Sequence, residues 1–272
     1  MRKIKKIIFS IVLLLLVLIM NTAYSQVAGI SASKIGTFCF GTVPAKDLEF
    51  EPSFSFGKTS QTWNSESKLQ NKFANGDSIE TISGLAFRCT YGLTDKLEIG
   101  MSAPADVSGV SWAVKYIVYQ NEKSGVAAIS GVNMPLGNKV YDKTSNDPHN
   151  ISSFAGGICV SYKFNEKLFL DFDLQGQRLL INVKDNNHFD LFLNSDIGYY
   201  IKEHAQLICG LSYFNNFYHD SYSDNSLLNI HPGISYETGE NFLIIISSPI
   251  GLYGKNIDQS YGINIAFTMT IR

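Results

Sequence analysis

"LEFEPSFSF" occupies residues 48–56. Leu48, Phe50, Pro52, Phe54 and Phe56 share one parity, and Glu49, Glu51, Ser53 and Ser55 share the other. Side chains alternate across a strand, so this stretch has one apolar face and one polar face. In a soluble barrel the apolar face points inward, and in a membrane barrel it points to lipid. The alternation alone does not say which, and the choice decides the fold.

The rest of the chain repeats the pattern. Period-2 segments near 47–57, 81–92, 97–104, 110–120, 126–134, 154–164, 168–177, 188–201, 206–214, 227–237, 242–250 and 261–271 predict about twelve strands. Five connections are short: "GLTDK" (92–96), "NEKSG" (121–125), "NEK" (165–167), "KEH" (202–204) and "TGEN" (238–241). They alternate with more irregular polar ones at 58–80, 105–109, 135–153, 178–187, 215–226 and 251–260, of which 105–109 is short for its place. Short–long alternation around an even number of antiparallel strands is the rhythm of an outer-membrane barrel, with short turns in the periplasm and long loops outside.

The faces follow from the strand ends. Tyr91, Tyr116, Tyr162 with Phe164, Tyr199, Tyr236 and Phe267 stand near the short-turn ends on the apolar parity. Amphipathic rings at one level on an apolar face make an interfacial girdle. The opposite parity is small and polar: Gly84, Ala86, Arg88 and Thr90 on one strand, Asp171, Asp173 and Gln175 on another. A soluble barrel needs large apolar residues inside. The phenylalanines of "LEFEPSFSF" are therefore expected to face lipid and its glutamates the lumen.

The N-terminus agrees. Arg2, Lys3, Lys5 and Lys6 precede an apolar run from Ile7 to Met20 broken only by Ser10, and Ala23-Tyr24-Ser25 supplies small residues at the positions a signal peptidase reads. Residues 1–25 are read as a secretory signal peptide, 26–46 as a periplasmic or lumen-plug segment, and 47–272 as the barrel. Cleavage would remove four basic residues and no acidic ones, leaving 18 Lys+Arg against 24 Asp+Glu and a net charge of −6. A nucleic-acid partner would want a basic surface, so none is expected. No later stretch approaches 18 consecutive apolar residues, so no transmembrane helix is expected. Cys39, Cys89, Cys159 and Cys209 stand far apart without CxxC or CxxH spacing and read as small hydrophobes rather than disulfides or metal ligands.

Four stretches in order, "TVPAKDLEFEPSFSF" (42–56), "FRCTYGLTDKLEIGM" (87–101), "WAVKYIV" (112–118) and "GVNMPLGN" (131–138), resemble the outer-membrane transporters grouped as the MetA-pathway of phenol degradation family. The resemblance covers roughly residues 30–140. It implies a 12-stranded barrel passing small solutes, hydrophobic or aromatic compounds among them, and it supplies no established catalytic or binding residues. One departure is the C-terminus: the parity of Tyr261, Ile263, Ile265, Phe267, Met269 and Ile271 holds, but Arg272 stands where such barrels usually end in an aromatic read by the assembly machinery.

By parity the lumen of the clearer strands receives Glu49, Glu51, Arg88, Glu98, Lys115, Lys163, Asp171, Asp173, Asp190, Asp196 and Glu237, eight acids against three bases. Glu51, Arg88, Lys115, Asp171 and Asp173 fall near mid-height and are the candidates for a selectivity constriction, where surplus carboxylates favour cations. The alternative is a lattice that only neutralises and stiffens the interior. A barrel of this size is about 24 Å across between backbones, so opposite walls cannot pair directly, whereas Glu51, Arg88 and Lys115 could interact along one wall.

The rival classes are an enzyme and an adhesive barrel with a closed lumen. "NDPHN" (146–150) and "YHD" (218–220) put His beside Asp in loops, and His188, His204 and His231 complete the histidines. Polar loops collect such pairs by composition, and no GxSxG, HExxH, P-loop or dinucleotide fingerprint is present. No catalysis, cofactor or metal is expected. For adhesion, the loops offer Trp63, Phe73, Phe217, Tyr218, Tyr222 and Tyr253. Lipid, the barrel-assembly machinery and a small solute of unknown identity are the expected partners, and the bacterial outer membrane the expected location.

Overall fold

A computed structural model describes residues 27–31, 35–74, 78–136, 152–180, 189–217, 224–239 and 241–272. The expected signal peptide and the loop residues Asp147, His149, His188, Tyr218, His219, Asp220 and Tyr222 lie outside the described residues. The strands are β1 (Leu48–Trp63), β2 (Leu69–Asn71), β3 (Glu80–Thr94), β4 (Leu97–Pro104), β5 (Gly109–Gln120), β6 (Ser124–Pro135), β7 (Ser153–Lys163), β8 (Leu168–Leu179), β9 (Phe189–Lys202), β10 (Ala205–Phe217), β11 (Asn225–Glu237), β12 (Phe242–Ser247), β13 (Ile250–Lys255) and β14 (Ile257–Ile271). β12 and β13 are two halves of one stave, and β2 is a short addition beside the end of β1. That leaves twelve staves. Each pairs antiparallel with its neighbours, and β14 closes on β1 with Leu48 opposite Ile271.

Burial decides the question of faces. Phe54 and Phe56 are each 42% exposed, while Lys115 and Asp173 are fully buried. Every girdle aromatic, from Tyr91 to Phe267, is exposed. A water-soluble barrel would show the reverse. The outside is an apolar band and the inside is polar, the arrangement of a transmembrane barrel.

The short connections are built by Asx chemistry. Asn121 Oδ1 accepts from the N–H groups of Lys123 and Ser124, and Asn165 Oδ1 accepts from those of Lys167 and Leu168. Two expected connections are corrected. The stretch 58–80 continues β1 to Trp63 and contains β2, and 251–260 is a hairpin turning at Asn256 with φ 50°. Beyond the lipid slab a strand keeps its hydrogen bonds but no longer needs an apolar face, so Lys58 to Thr62 carry no periodicity to read.

The prolines fall where the ladder lets them. Pairing of β1 with β14 runs to Phe50↔Met269 and resumes at Ser53↔Ala266; Pro52, which has no N–H, sits in the interval. Pro249 lies in the break between β12 and β13, where the Ser248 N–H donates to the Pro232 carbonyl (2.9 Å) and the Gly262 N–H to the Pro249 carbonyl (3.0 Å).

Candidate functional site: the occupied lumen

The interior of the barrel holds the chain's own residues 27–31 and 35–46. Their main chain is irregular, so the N–H and C=O groups it buries need partners outside a regular ladder. The wall supplies them. The Val27 N–H donates to Gln175 Oε1 (3.0 Å), Ile35 to Asp196 Oδ2 (3.3 Å), Phe38 to Asp173 Oδ2 (2.9 Å) and Phe40 to Ser161 Oγ (3.2 Å). Glu98 accepts from the N–H groups of Ser31 (2.8 Å) and Val43 (2.7 Å) and from the Ser31 hydroxyl (2.9 Å). In the other direction, Arg88 donates to the Ile30 carbonyl (3.1 Å), Thr90 to that of Gly29 (2.8 Å), and Lys115 to those of Ser31 (2.9 Å) and Cys39 (3.3 Å).

Between these polar clasps lies an apolar cluster. Val27, Ile30 and Phe38 bury against Ala113, Ala127, Ile129, Ala155 and Cys159, with Phe40 packed beside them. Small residues on the wall leave the space. A Cβ on Gly100 would overlap the Gly29 carbonyl oxygen, one on Gly92 the Pro44 carbonyl oxygen, and one on Gly125 the Phe40 ring. Gly29 itself has φ +101°, a conformation that favours glycine, and its Cβ would stand 2.7 Å from the Met101 backbone. The segment and the wall are fitted to each other at the backbone level.

The five candidates divide into three groups. Glu51 and Arg88 meet: Arg88 Nη2 lies 2.7 Å from Glu51 Oε2, and Nη1 lies 2.6 Å from Glu49 Oε1. Lys115 does not join that group. It faces Glu98 in the β4–β5 register and pairs with it at 3.2 Å, both side chains being fully buried. This corrects the expectation of one Glu51–Arg88–Lys115 wall: Glu98 is nearer to Lys115 and also needs a cation, since it otherwise carries buried negative charge. Asp171 and Asp173 stand together on β8. Asp173 is shared among the Phe38 N–H, Gln175 Nε2 (2.6 Å) and Asn194 Nδ2 (3.0 Å), and Asp171 is buried opposite Ser161 and Asp196.

Other features are placed as follows. His231 faces the lumen and its Nε2 lies 2.7 Å from Ser212 Oγ. Trp63 is buried at the end of β1 and lies on Gly251 and Gly254, whereas Phe217 and Tyr253 are exposed. Cys39, Cys89, Cys159 and Cys209 are free thiols, with Cys159 Sγ donating to the Cys39 carbonyl (3.3 Å). Among the described residues no group of three or more His, Cys, Asp or Glu could hold a metal ion. Sequence reasoning missed Glu98 as the anchor of the segment, and it missed the wall glycines. The glycines carried a signal: inward Gly in a strand marks close approach of another backbone.

No family model and no curated protein matches the chain. Among solved structures, the COG4313 outer membrane channel from Pseudomonas putida F1 is similar at 12% identity and TM-score 0.67, covering 88% of this chain and 100% of that one. The NanC porin gives 8% identity and TM-score 0.52, with 82% and 98% covered. The beta domain of the Bordetella autotransporter BrkA gives 10% identity and TM-score 0.50, with 82% and 99% covered. At such identities the likeness is one of fold. By fold, the chain is a closed, antiparallel, 12-stranded barrel of the outer-membrane class.

Proposed function

We propose that the protein is an outer-membrane channel for small solutes, closed at rest by residues 27–31 and 35–46 lying in its lumen. The observation that carries this reading is the occupant itself. A barrel with only a structural role could fill its interior with wall side chains, as small barrels do. Here glycine and alanine clear a space, and a separate, irregular segment fills it through hydrogen bonds and one apolar cluster. A segment held this way can leave without unfolding the barrel. The resemblance in residues 30–140 adds hydrophobic or aromatic compounds as solutes. The apolar shelf under Val27, Ile30 and Phe38 is where a ring would lodge once the segment has moved. Insertion by the assembly machinery into outer-membrane lipid belongs to the same proposal.

Planar-bilayer conductance tests it. Gly29→Val drives a side chain into the Met101 backbone of β4 without changing any wall residue, and Ile30→Asp puts a charge into the apolar cluster. Both should conduct markedly more than wild type. Absence of conductance in both variants would sink the channel reading and move the closed structural barrel ahead of it.

A further inference from the structure

The polar contacts that hold the segment fall in large part on its main chain. Six of its N–H groups, those of Val27, Ser31, Ile35, Phe38, Phe40 and Val43, donate to wall side chains. Four of its carbonyls, those of Gly29, Ile30, Ser31 and Cys39, accept from wall side chains. The Ser31 side chain joins these clasps as well, through Glu98 and Lys115. The wall therefore reads a main chain in both directions, donors and acceptors alternating with apolar shelf.

That chemistry selects a class of ligand. A polyamine would satisfy Glu98 and Asp173 but offers no acceptor to Arg88, Thr90 and Lys115. A plain aromatic would use the shelf and replace none of the hydrogen bonds that the segment's main chain makes to the wall. A peptide main chain carrying apolar side chains satisfies all three. We propose that the lumen wall of β3–β9 is a binding site for short peptides with apolar side chains, and that the N-terminal segment is its resident, intramolecular occupant. The inference rests on the channel reading for the site's role in transport, but the binding stands or falls by itself.

A segment tethered next to its site competes at an effective concentration in the millimolar range, so a free peptide should bind poorly until the segment is displaced. The test uses the full chain carrying Gly29→Val or Ile30→Asp, and a fluorescein-labelled peptide of the sequence of residues 27–43, followed by anisotropy in detergent. Saturable binding to both variants is expected, at least ten-fold tighter than to wild type. N-methylation of the peptide at the positions of Phe38 and Val43, which removes the N–H donors and keeps every side chain, should weaken binding at least ten-fold. No saturable binding to either variant, or equal binding of the N-methylated peptide, would overturn the proposal. Peptide binding without conductance keeps the site and sinks the channel; conductance without peptide binding does the opposite.

Discussion

Phe172 and Asp173 are adjacent in sequence and on opposite sides of one wall. Phe172 meets lipid between Val160 and Ser195, while Asp173 is fully buried and holds the Phe38 N–H. A lysine at position 172 would place its charge near the bilayer midplane, at a cost of about 2–4 kcal/mol. Phe172→Lys should therefore lose folding yield in liposomes. Asp173→Lys should leave the barrel folded, because its ladder and lipid face are intact, and should instead loosen the segment by replacing an acceptor with a donor. Urea titration followed by tryptophan fluorescence would separate the two. Equal loss of barrel stability in both variants would mean the parity of β8 is misread.

At the scale of elements, the staves were legible in the sequence, whereas residues 26–46 could be read only as either a periplasmic or a lumen-plug segment, with none of the contacts that hold it. A stave must present apolar side chains to lipid at every second position, so Leu170, Phe172 and Leu174 announce themselves. The segment around Gly29 and Phe38 has no such constraint. Its main chain is satisfied by Glu98, Asp173 and Gln175 rather than by its own periodic hydrogen bonds, so no period appears. The Lys115–Glu98 pair was hidden for a related reason: parity places a residue on a face, but only the β4–β5 register says who stands opposite. The inward glycines were the readable clue. Gly100→Val should expel the segment from its side of the lumen, because β4 cannot move away from β3 and β5 without breaking two ladders. Limited proteolysis should then cut near residues 35–46 in the variant and spare them in wild type, with the barrel fragment intact in both. An equally protected segment would show that the backbone contact is not what positions it.

For the whole molecule the balance of charge becomes the question. Arg88 is committed to Glu49 and Glu51, and Lys115 to Glu98. Asp171, Asp173, Asp190 and Asp196 sit on β8 and β9, on the wall the segment covers. With the segment in place, the carboxylates of Asp173 and Asp196 face backbone N–H groups instead of ions. Once it leaves, they should face water and raise local cation concentration within about a Debye length, ~8–10 Å at ordinary salt. Reversal potentials under a salt gradient should thus show a modest cation preference in Gly29→Val. Adding Asp171→Asn and Asp173→Asn to that variant should reduce the preference. Adding Arg88→Ala should increase it, since Glu49 and Glu51 lose their counter-charge on the opposite side. A preference that ignores all three changes would place the conducting path away from these residues, along the small-residue wall of Ser53, Ser55, Ala86 and Asn264, which is partly exposed even with the segment in place.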